Sequence, residues 1–420
     1  MQNEIKVALL GYGVVGSAVA RALLENESII KARCGKAIKP VIALARSEKK
    51  NALIPITQNA DEILNRTDID AFIELMGGIK TPFALARQIL AQNKALITAN
   101  KAMLAYHRYE LENLAKNSFF GYEASVAGGI PIIKVLKEGL SANHILGIKA
   151  ILNGTSNFIL SAMKQSGASF EKALKEAQNL GYAEADPSFD IQGLDAAHKL
   201  LILASIAYGV RAKPEDILIE GIEKIEAEDM YFATEFDFVI KLLGIAKANH
   251  DKIELRVHPT LIDKNEMLAG VNGEMNAVSI KGDMLSESLY YGPGAGGAAT
   301  ASAVISDLMD FARRSSQSAA LGFINTPKYE LLNKDEIQTK YYLRLKVEDK
   351  IGVLSAITHL MSENGISIDS FLQKPKANDT HSTLFFTTHK AYEKDIQKLI
   401  KILSNKEFLK ADVFMMRIES

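Results

Sequence analysis

Apolar and polar positions alternate in blocks along the first third of the chain, with short apolar runs separated by glycine turns and helical periodicities. Ile5–Leu10 (IKVALL) predicts a strand covered on both faces, and GYGVVG follows it at once. SAVARALLEN then carries apolar residues at helical spacing. Pro40–Ala45 (PVIALA), Ile69–Leu75 (IDAFIEL) and Ala95–Ala99 (ALITA) repeat the strand pattern, and TPFALARQILAQN predicts a helix with Pro82 near its start. Strand–helix alternation of this kind predicts an α/β domain, a Rossmann-type doubly wound parallel sheet over residues 1–130.

Beyond it, Gly128-Gly129 and Pro131 mark a loop entering a helix, Ile145–Leu152 predicts a strand, and NGTSNFIL turns from it into a helix. The apolar run Leu200–Ala204 predicts a buried helix led by the charged stretch GYAEADPSFDIQGLDAAHK, 181–199. ASAVISDLMDFA predicts a helix that returns to the first domain, so that about 301–320 rejoin it and 131–300 form an inserted α/β domain. The polar segment 321–340, with Pro327, predicts a linker. Residues 341–420 follow the order βαββαβ, an α+β, ferredoxin-like plan.

Composition changes this picture little. A chain of 420 residues should hold roughly two or three domains. The formal net charge of −1 gives no bulk attraction to nucleic acid or an anionic membrane, and neither is expected as a partner. Cys34 is the single cysteine, has no role that the sequence supports, and no Cys/His cluster has zinc spacing. The N-terminus lacks signal-peptide regions and no apolar run approaches a membrane span, so a cytoplasmic protein is expected.

The candidate chemistry begins at the glycine turn. Gly11 suits the tight turn, Gly13 lets a pyrophosphate approach the backbone, and Gly16 lets the helix pack on the strand. Tyr12, Val14 and Val15 complete this candidate cofactor loop. Arg46 follows the second strand, where an acid would select NAD, and so favours NADP. Met76, Gly77 and Lys101 fall at carboxyl ends of strands, where such sheets bind ligands, although Lys101 also suits simple pairing with a helix end. Asn153, Thr155 and Asn157 offer neutral groups for a small polar ligand, although each alone reads more readily as an ordinary helix cap. Asp195 and Lys199 share a helix face, which fits a lysine poised to pass a proton, or a solvated charge pair. Asp349 and Gly352 stand at a strand-to-helix turn that could meet a carboxylate.

Long motifs then appear in a recognisable order: GYGVVG at 11–16, TANKA at 98–102, EASVAGGIPII at 123–133, NGTSNFIL at 153–160, GYAEADP at 181–187, GLDAAHK at 193–199 and GPGAGGAATASAVISDL at 292–308. The chain resembles the homoserine dehydrogenases. Ala298-Ala299 departs from the proline the family more often has before the threonine, a minor loop change. The resemblance implies NAD(P)H-dependent interconversion of L-aspartate 4-semialdehyde and L-homoserine, in threonine, methionine and isoleucine biosynthesis. It implies that Lys199 is the acid/base and that Lys101 assists between nicotinamide and substrate. Glu184, Asp190 and Asp195, with Asn153, Thr155 and Gly181, would bind the substrate, and Gly297 would end a loop closing near the nicotinamide. Glu123, Val126, Gly128 and Ile130 resemble the family's loop for a monovalent cation such as sodium. DKIGVLSAITHLMSENGISI resembles an ACT domain, which implies an amino-acid effector, L-threonine, at Asp349, Gly352, Val353 and Leu354, and a homodimer or homotetramer. At this length no fused aspartate kinase, which some members carry, is expected. Two rivals are a catalytically inactive nucleotide-binding amino-acid sensor and an oxidoreductase for another small amino aldehyde. Intact Lys101, Glu184, Asp195 and Lys199 weigh against the first.

Overall fold

The structure, a computed structural model, describes residues 4–313, 330–375 and 381–419. The expected return to the first domain beyond residue 313 and the linker as far as residue 329 lie outside the described residues.

The first sheet contains β1 (Glu4–Leu10), β2 (Ala37–Leu44), β3 (Ile56–Thr57), β4 (Ala71–Glu74), β5 (Ala95–Thr98) and β6 (Phe120–Gly121), in the order β3-β2-β1-β4-β5-β6. All its neighbours are parallel. Parallel strands are covered on both faces, so Val7, Ala8, Leu9 and Leu10 are all fully buried, and a side chain such as Leu9 contributes about 1.5–3 kcal/mol by leaving water. The chain moves to one side of β1 for β2 and β3, then crosses to β4 on the other. The carboxyl ends of β1 and β4 therefore flank the switch point where such sheets bind ligands. β2 begins at Ala37, earlier than the apolar run alone predicts. Pro40 is tolerated there because the β3 side is paired only from Ala43, and the register to β1 slips at Val41 beside it.

Further along the chain come β7 (Ile145–Ile151), β8 (Leu218–Ile219), a long hairpin of β9 (Phe238–Asn249) and β10 (Lys252–Asp263), and the hairpin β11 (Met275–Gly282) with β12 (Ser286–Pro293). The remainder is β13 (Glu330–Leu331), β14 (Gln338–Glu348), β15 (Ile368–Pro375), β16 (His381–Thr388), β17 (Ala391–Tyr392) and β18 (Phe414–Ile418).

Two compact units result. The first comprises Met1–Ile148, Ala197–Asp216 and Met275–Tyr329; the second comprises Lys149–Ala196, Ile217–Glu274 and Glu330–Ser420. In the first, helices Val14–Glu25 and Gly297–Arg313 pack together over the parallel sheet in one apolar core that includes Leu9, Val19, Ile73 and Val304.

In the second unit the C-terminal segment shows the predicted βαββαβ order, with helices Val353–Glu363 and Glu393–Ser404 between strands in the order β18-β14-β16-β15. Its core, around Tyr341, Leu343, Met361, Phe386 and Leu399, is its own. Yet β18 also pairs parallel with β10, matching Thr260 to Arg417, and the Tyr342 hydroxyl donates to Asp229 at 2.6 Å. The segment is thus built into the sheet of the second unit. Among the described residues no helix is long and apolar enough to cross a membrane.

Candidate active site

The glycine turn after β1 has the geometry its spacing demands. Gly11 has φ +113, and a Cβ on it would stand 2.9 Å from the Leu75 carbonyl oxygen at the end of β4. A Cβ on Gly16 would fall 2.2 Å from the Gly11 carbonyl, so only glycine lets the helix lie this close to the strand. Gly13 is exposed and open on its Cβ side, and the helix Val14–Glu25 begins directly after it. Free N–H groups at that helix start suit a phosphate. Val14 is exposed and Val15 half-buried. Tyr12 is buried, and its hydroxyl accepts the Leu53 N–H at 3.0 Å. This ties the turn to the segment after β2, which presents the exposed Arg46.

No sequence pattern marks what organises the neighbouring loop. Glu74, fully buried at the end of β4, accepts from the Thr98 hydroxyl at 2.5 Å and from the Met76 N–H at 2.8 Å. The Asn100 side chain donates to the Met76 and Gly78 carbonyls at 3.2 and 2.8 Å and accepts the Met103 N–H as the cap of helix Lys101–Leu114. Met76, Gly77 and Lys101 are thereby fixed to one another. Glu74 reads as one more residue of an apolar strand, and its role depends on Thr98 from another strand. Burial pushes its carboxyl up to about 7, against the hydrogen bonds from Thr98 and Met76.

Lys199 is buried in helix Leu194–Tyr208. That helix and the helix of Lys101 are joined in the first unit by Arg108, itself buried, which donates to the Ser205 hydroxyl and to the Ala212 carbonyl at 2.7 Å. Tyr109 adds a bond from its hydroxyl to the Val210 carbonyl at 2.7 Å, and Tyr106 meets His198 edge-on at 5.8 Å. None of these three residues has a sequence signal beyond helical spacing.

Glu123, Val126, Gly128 and Ile130 are all buried on a tight turn in which Ala127 and Gly128 have φ of +51 and +31. The Glu123 carboxylate accepts the Ile133 and Lys134 N–H groups at 2.9 and 2.8 Å. Burial, with Asp307 nearby, pushes it up to about 7. The turn lies against the glycine loop 292–297: Gly129 N–H donates to the Pro293 carbonyl at 2.9 Å, and a Cβ on Gly128 would stand 3.0 Å from the Gly294 oxygen. Gly297 starts the helix Gly297–Arg313, and a Cβ on it would stand 3.2 Å from Val14 Cγ1, a tight contact.

In the second unit Asn153 is the centre. Its Nδ2 donates to Asp190 at 2.7 Å and to Asp195 at 2.8 Å, while its Oδ1 accepts the Ser156 N–H and caps helix Gly154–Ser166. It is therefore a helix cap, one of the two readings the sequence left open, and it also joins two candidate site residues. Asp195 stands one helical turn before Lys199 in the same helix. The Thr155 hydroxyl donates to the Tyr182 carbonyl at 2.6 Å, and Gly181 takes φ +77 in the same turn. Glu184 is exposed, and its carbonyl accepts from Gln178. Two carboxylates held by one amide make a place that favours an ammonium. Asn157, the third of the neutral residues, instead accepts from the buried ammonium of Lys241 at 3.1 Å, which burial holds down at about 7.

The buried Glu74 predicts a pH signature. Its carboxyl is raised from 4.5 unfolded to about 7 folded, so the stability it contributes is complete below pH 4.5 and declines as pH rises through 7, by on the order of 3 kcal/mol. Glu74→Gln should flatten that decline. Thermal unfolding at pH 5 and pH 8 checks this: the variant should lose less Tm across the interval than the wild type, and parallel losses would contradict the assignment.

Comparison with known proteins matches this architecture piece by piece. Family models match at residues 11–121 (homoserine dehydrogenase, NAD binding domain), 131–309 (homoserine dehydrogenase) and 341–408 (ACT domain). A homoserine dehydrogenase of Helicobacter pylori is 54% identical over all of both chains. The crystal structure of a homoserine dehydrogenase from Thiobacillus denitrificans, 40% identical, superposes with a TM-score of 0.94 over 100% of this chain and 99% of that one. One from S. aureus, 32% identical, gives 0.77 over 99% of each. With its nicotinamide-nucleotide fold, its catalytic domain and its ACT domain all matched, the chain belongs to the homoserine dehydrogenases, oxidoreductases that interconvert L-aspartate 4-semialdehyde and L-homoserine.

Proposed function

We propose that the chain reduces L-aspartate 4-semialdehyde with NADPH as its preferred donor, that Lys199 supplies the proton, and that L-threonine acts through the C-terminal domain. The observation that carries this reading is the Asn153 amide that gathers Asp190 and Asp195, one helical turn ahead of the buried Lys199.

Bound nicotinamide supplies the hydride. As the aldehyde oxygen gains negative charge on reduction, the Lys199 ammonium would give it a proton. Lys101, fixed at the start of its helix by the Asn100 cap, orients the reacting groups. Asp190 and Asp195 accept hydrogen bonds from the substrate's ammonium, with Glu184, Thr155 and Gly181 completing the amino-acid site. A zwitterionic substrate calls for this arrangement, because its ammonium needs acceptors as close as the donors that hold its carboxylate.

The preference for NADPH rests on Arg46, a cation at the position after β2 where an acid would take the ribose hydroxyls, with Glu48, Lys49 and Lys50 following it. Glu123, Val126, Gly128 and Ile130 would hold a monovalent cation through main-chain oxygens of their buried turn. The turn's carboxylate is already bound to two N–H groups, so the donor set carries the low charge suited to sodium rather than to a divalent ion.

Gly352, in the left-handed region at φ +94, turns the chain into the helix beginning at Val353, and with Asp349 and Leu354 it forms the site assigned to threonine. Pairing of C-terminal domains into a homodimer or homotetramer is supported by β15, which ends its sheet and exposes Phe371.

Lys199→Ala should lower kcat by about 10²-fold or more, with KM for NADPH unchanged. Turnover at the wild-type rate would remove the lysine from the chemistry. Arg46→Asp should move the NADPH/NADH ratio of kcat/KM toward NADH, and an unchanged ratio would reject the basis of selectivity. In the wild type, threonine should inhibit reduction of the semialdehyde, and Asp349→Ala should relieve that inhibition. Equal inhibition of both proteins would locate the effector elsewhere.

A further inference from the structure

Arg417 is fully buried on β18, in the C-terminal domain, and its guanidinium serves two carboxylates at once. Nε donates to Glu393 at 2.8 Å and Nη2 to the other oxygen of Glu393. Nη1 and Nη2 also donate to Glu220, at 2.6 and 3.1 Å. Glu393 belongs to the same domain and is further bound by the Tyr341 hydroxyl at 2.9 Å. Burial works against its charge, but Arg417 holds the Glu393 carboxyl below its usual value. Arg417 therefore has its counter-charge inside its own domain.

Glu220 is different. It follows β8, outside that domain, and its side chain is 35% exposed, so water could solvate it. What the paired hydrogen bonds from Arg417 add is position: a planar fork on a carboxylate fixes both its place and its orientation.

The backbone behind Glu220 explains why position matters. Glu220 N–H donates to the Val257 carbonyl at 2.8 Å, extending β8 along β10. A Cβ on Gly221 would stand 2.4 Å from the Ile191 carbonyl oxygen and 2.7 Å from Gln192 Cα. Ile222 N–H donates to the same Ile191 carbonyl at 2.8 Å. From the other side, a Cβ on Gly193, at φ +82, would meet the Glu220 carbonyl at 3.3 Å. Residues 220–222 are thus in van der Waals and hydrogen-bond contact with the turn 191–193, which separates Asp190 from Asp195. Contacts this close leave the turn no freedom to shift unless 220–222 shift with it.

We infer that Arg417 and Glu220 are positioning residues for the substrate site: the C-terminal domain, through this clamp, sets the spacing of Asp190 and Asp195 and so the affinity for the amino-acid substrate. The inference rests on the reading that these two carboxylates bind the substrate's ammonium. It gives the C-terminal domain a physical hold on substrate affinity, independent of which effector it binds.

Steady-state kinetics on the full-length chain test it, with Glu220→Ala, Glu220→Gln and Asp195→Asn measured side by side. Glu220→Ala should raise KM for the semialdehyde about threefold to tenfold, while kcat and KM for NADPH stay at wild-type values. Glu220→Gln keeps one acceptor for Arg417 and should recover part of the loss. Wild-type KM for the semialdehyde in Glu220→Ala, or an equal rise in both KM values with a lowered Tm, would overturn the clamp and leave a purely structural ion pair. If Glu220→Ala does not fold, Glu220→Gln decides: a rise in the semialdehyde KM alone supports the clamp, and wild-type KM overturns it. Asp195→Asn separates the two layers. A raised KM there with no effect at Glu220 defeats the clamp alone, and an unchanged KM there defeats the substrate-site reading and the clamp with it.

Discussion

One side-chain amide organises the candidate site of the second unit. Asn153 donates both of its hydrogens, to Asp190 at 2.7 Å and to Asp195 at 2.8 Å. Two oxygens sharing one nitrogen in this way stand about 5 Å apart, and at an effective dielectric near 20 two unit charges at that distance repel by about 3 kcal/mol. The amide that holds them is neutral and adds no charge of its own. The same residue caps helix Gly154–Ser166, and a Cβ on the next residue, Gly154, would stand 2.4 Å from the Glu274 oxygen. Helix start and carboxylate pair are consequently adjusted together.

The first unit solves a matching problem with different chemistry. The loop after β4 is open yet fixed. Glu74 and Asn100 achieve this from beneath, binding Met76, Gly78 and Thr98 while leaving Gly77 exposed. Arg108 fixes the helix of Lys101 against that of Lys199 from the far end. Each of these is a buried polar group satisfied by several partners, the condition under which such groups rigidify a structure instead of weakening it.

What the sequence disclosed follows from the range of the interactions. The strand–glycine–helix unit at 4–25 is local, and its spacing already names the three glycines; the structure adds the atoms each one avoids. The order of strands in the C-terminal domain was equally legible, because period and turn residues act over a few positions. Glu74, Arg108 and Glu220 were silent. Their partners lie 24, 97 and 197 positions away, and nothing in IDAFIEL or in a helical repeat distinguishes a buried carboxylate or guanidinium from a solvated one. The ferredoxin-like segment looked separable for the same reason: the pairing of β18 with β10 couples residues that no local pattern connects.

The measurement closest to the central claim is the initial rate of NADPH oxidation with L-aspartate 4-semialdehyde, compared between the wild type and Asn153→Leu, which keeps the side chain's bulk and removes its hydrogen bonds. If the amide holds the carboxylate pair for the substrate, the wild type turns over and the variant requires much higher semialdehyde concentration while its KM for NADPH is unchanged. A variant with wild-type KM for the semialdehyde, correctly folded, would contradict the account.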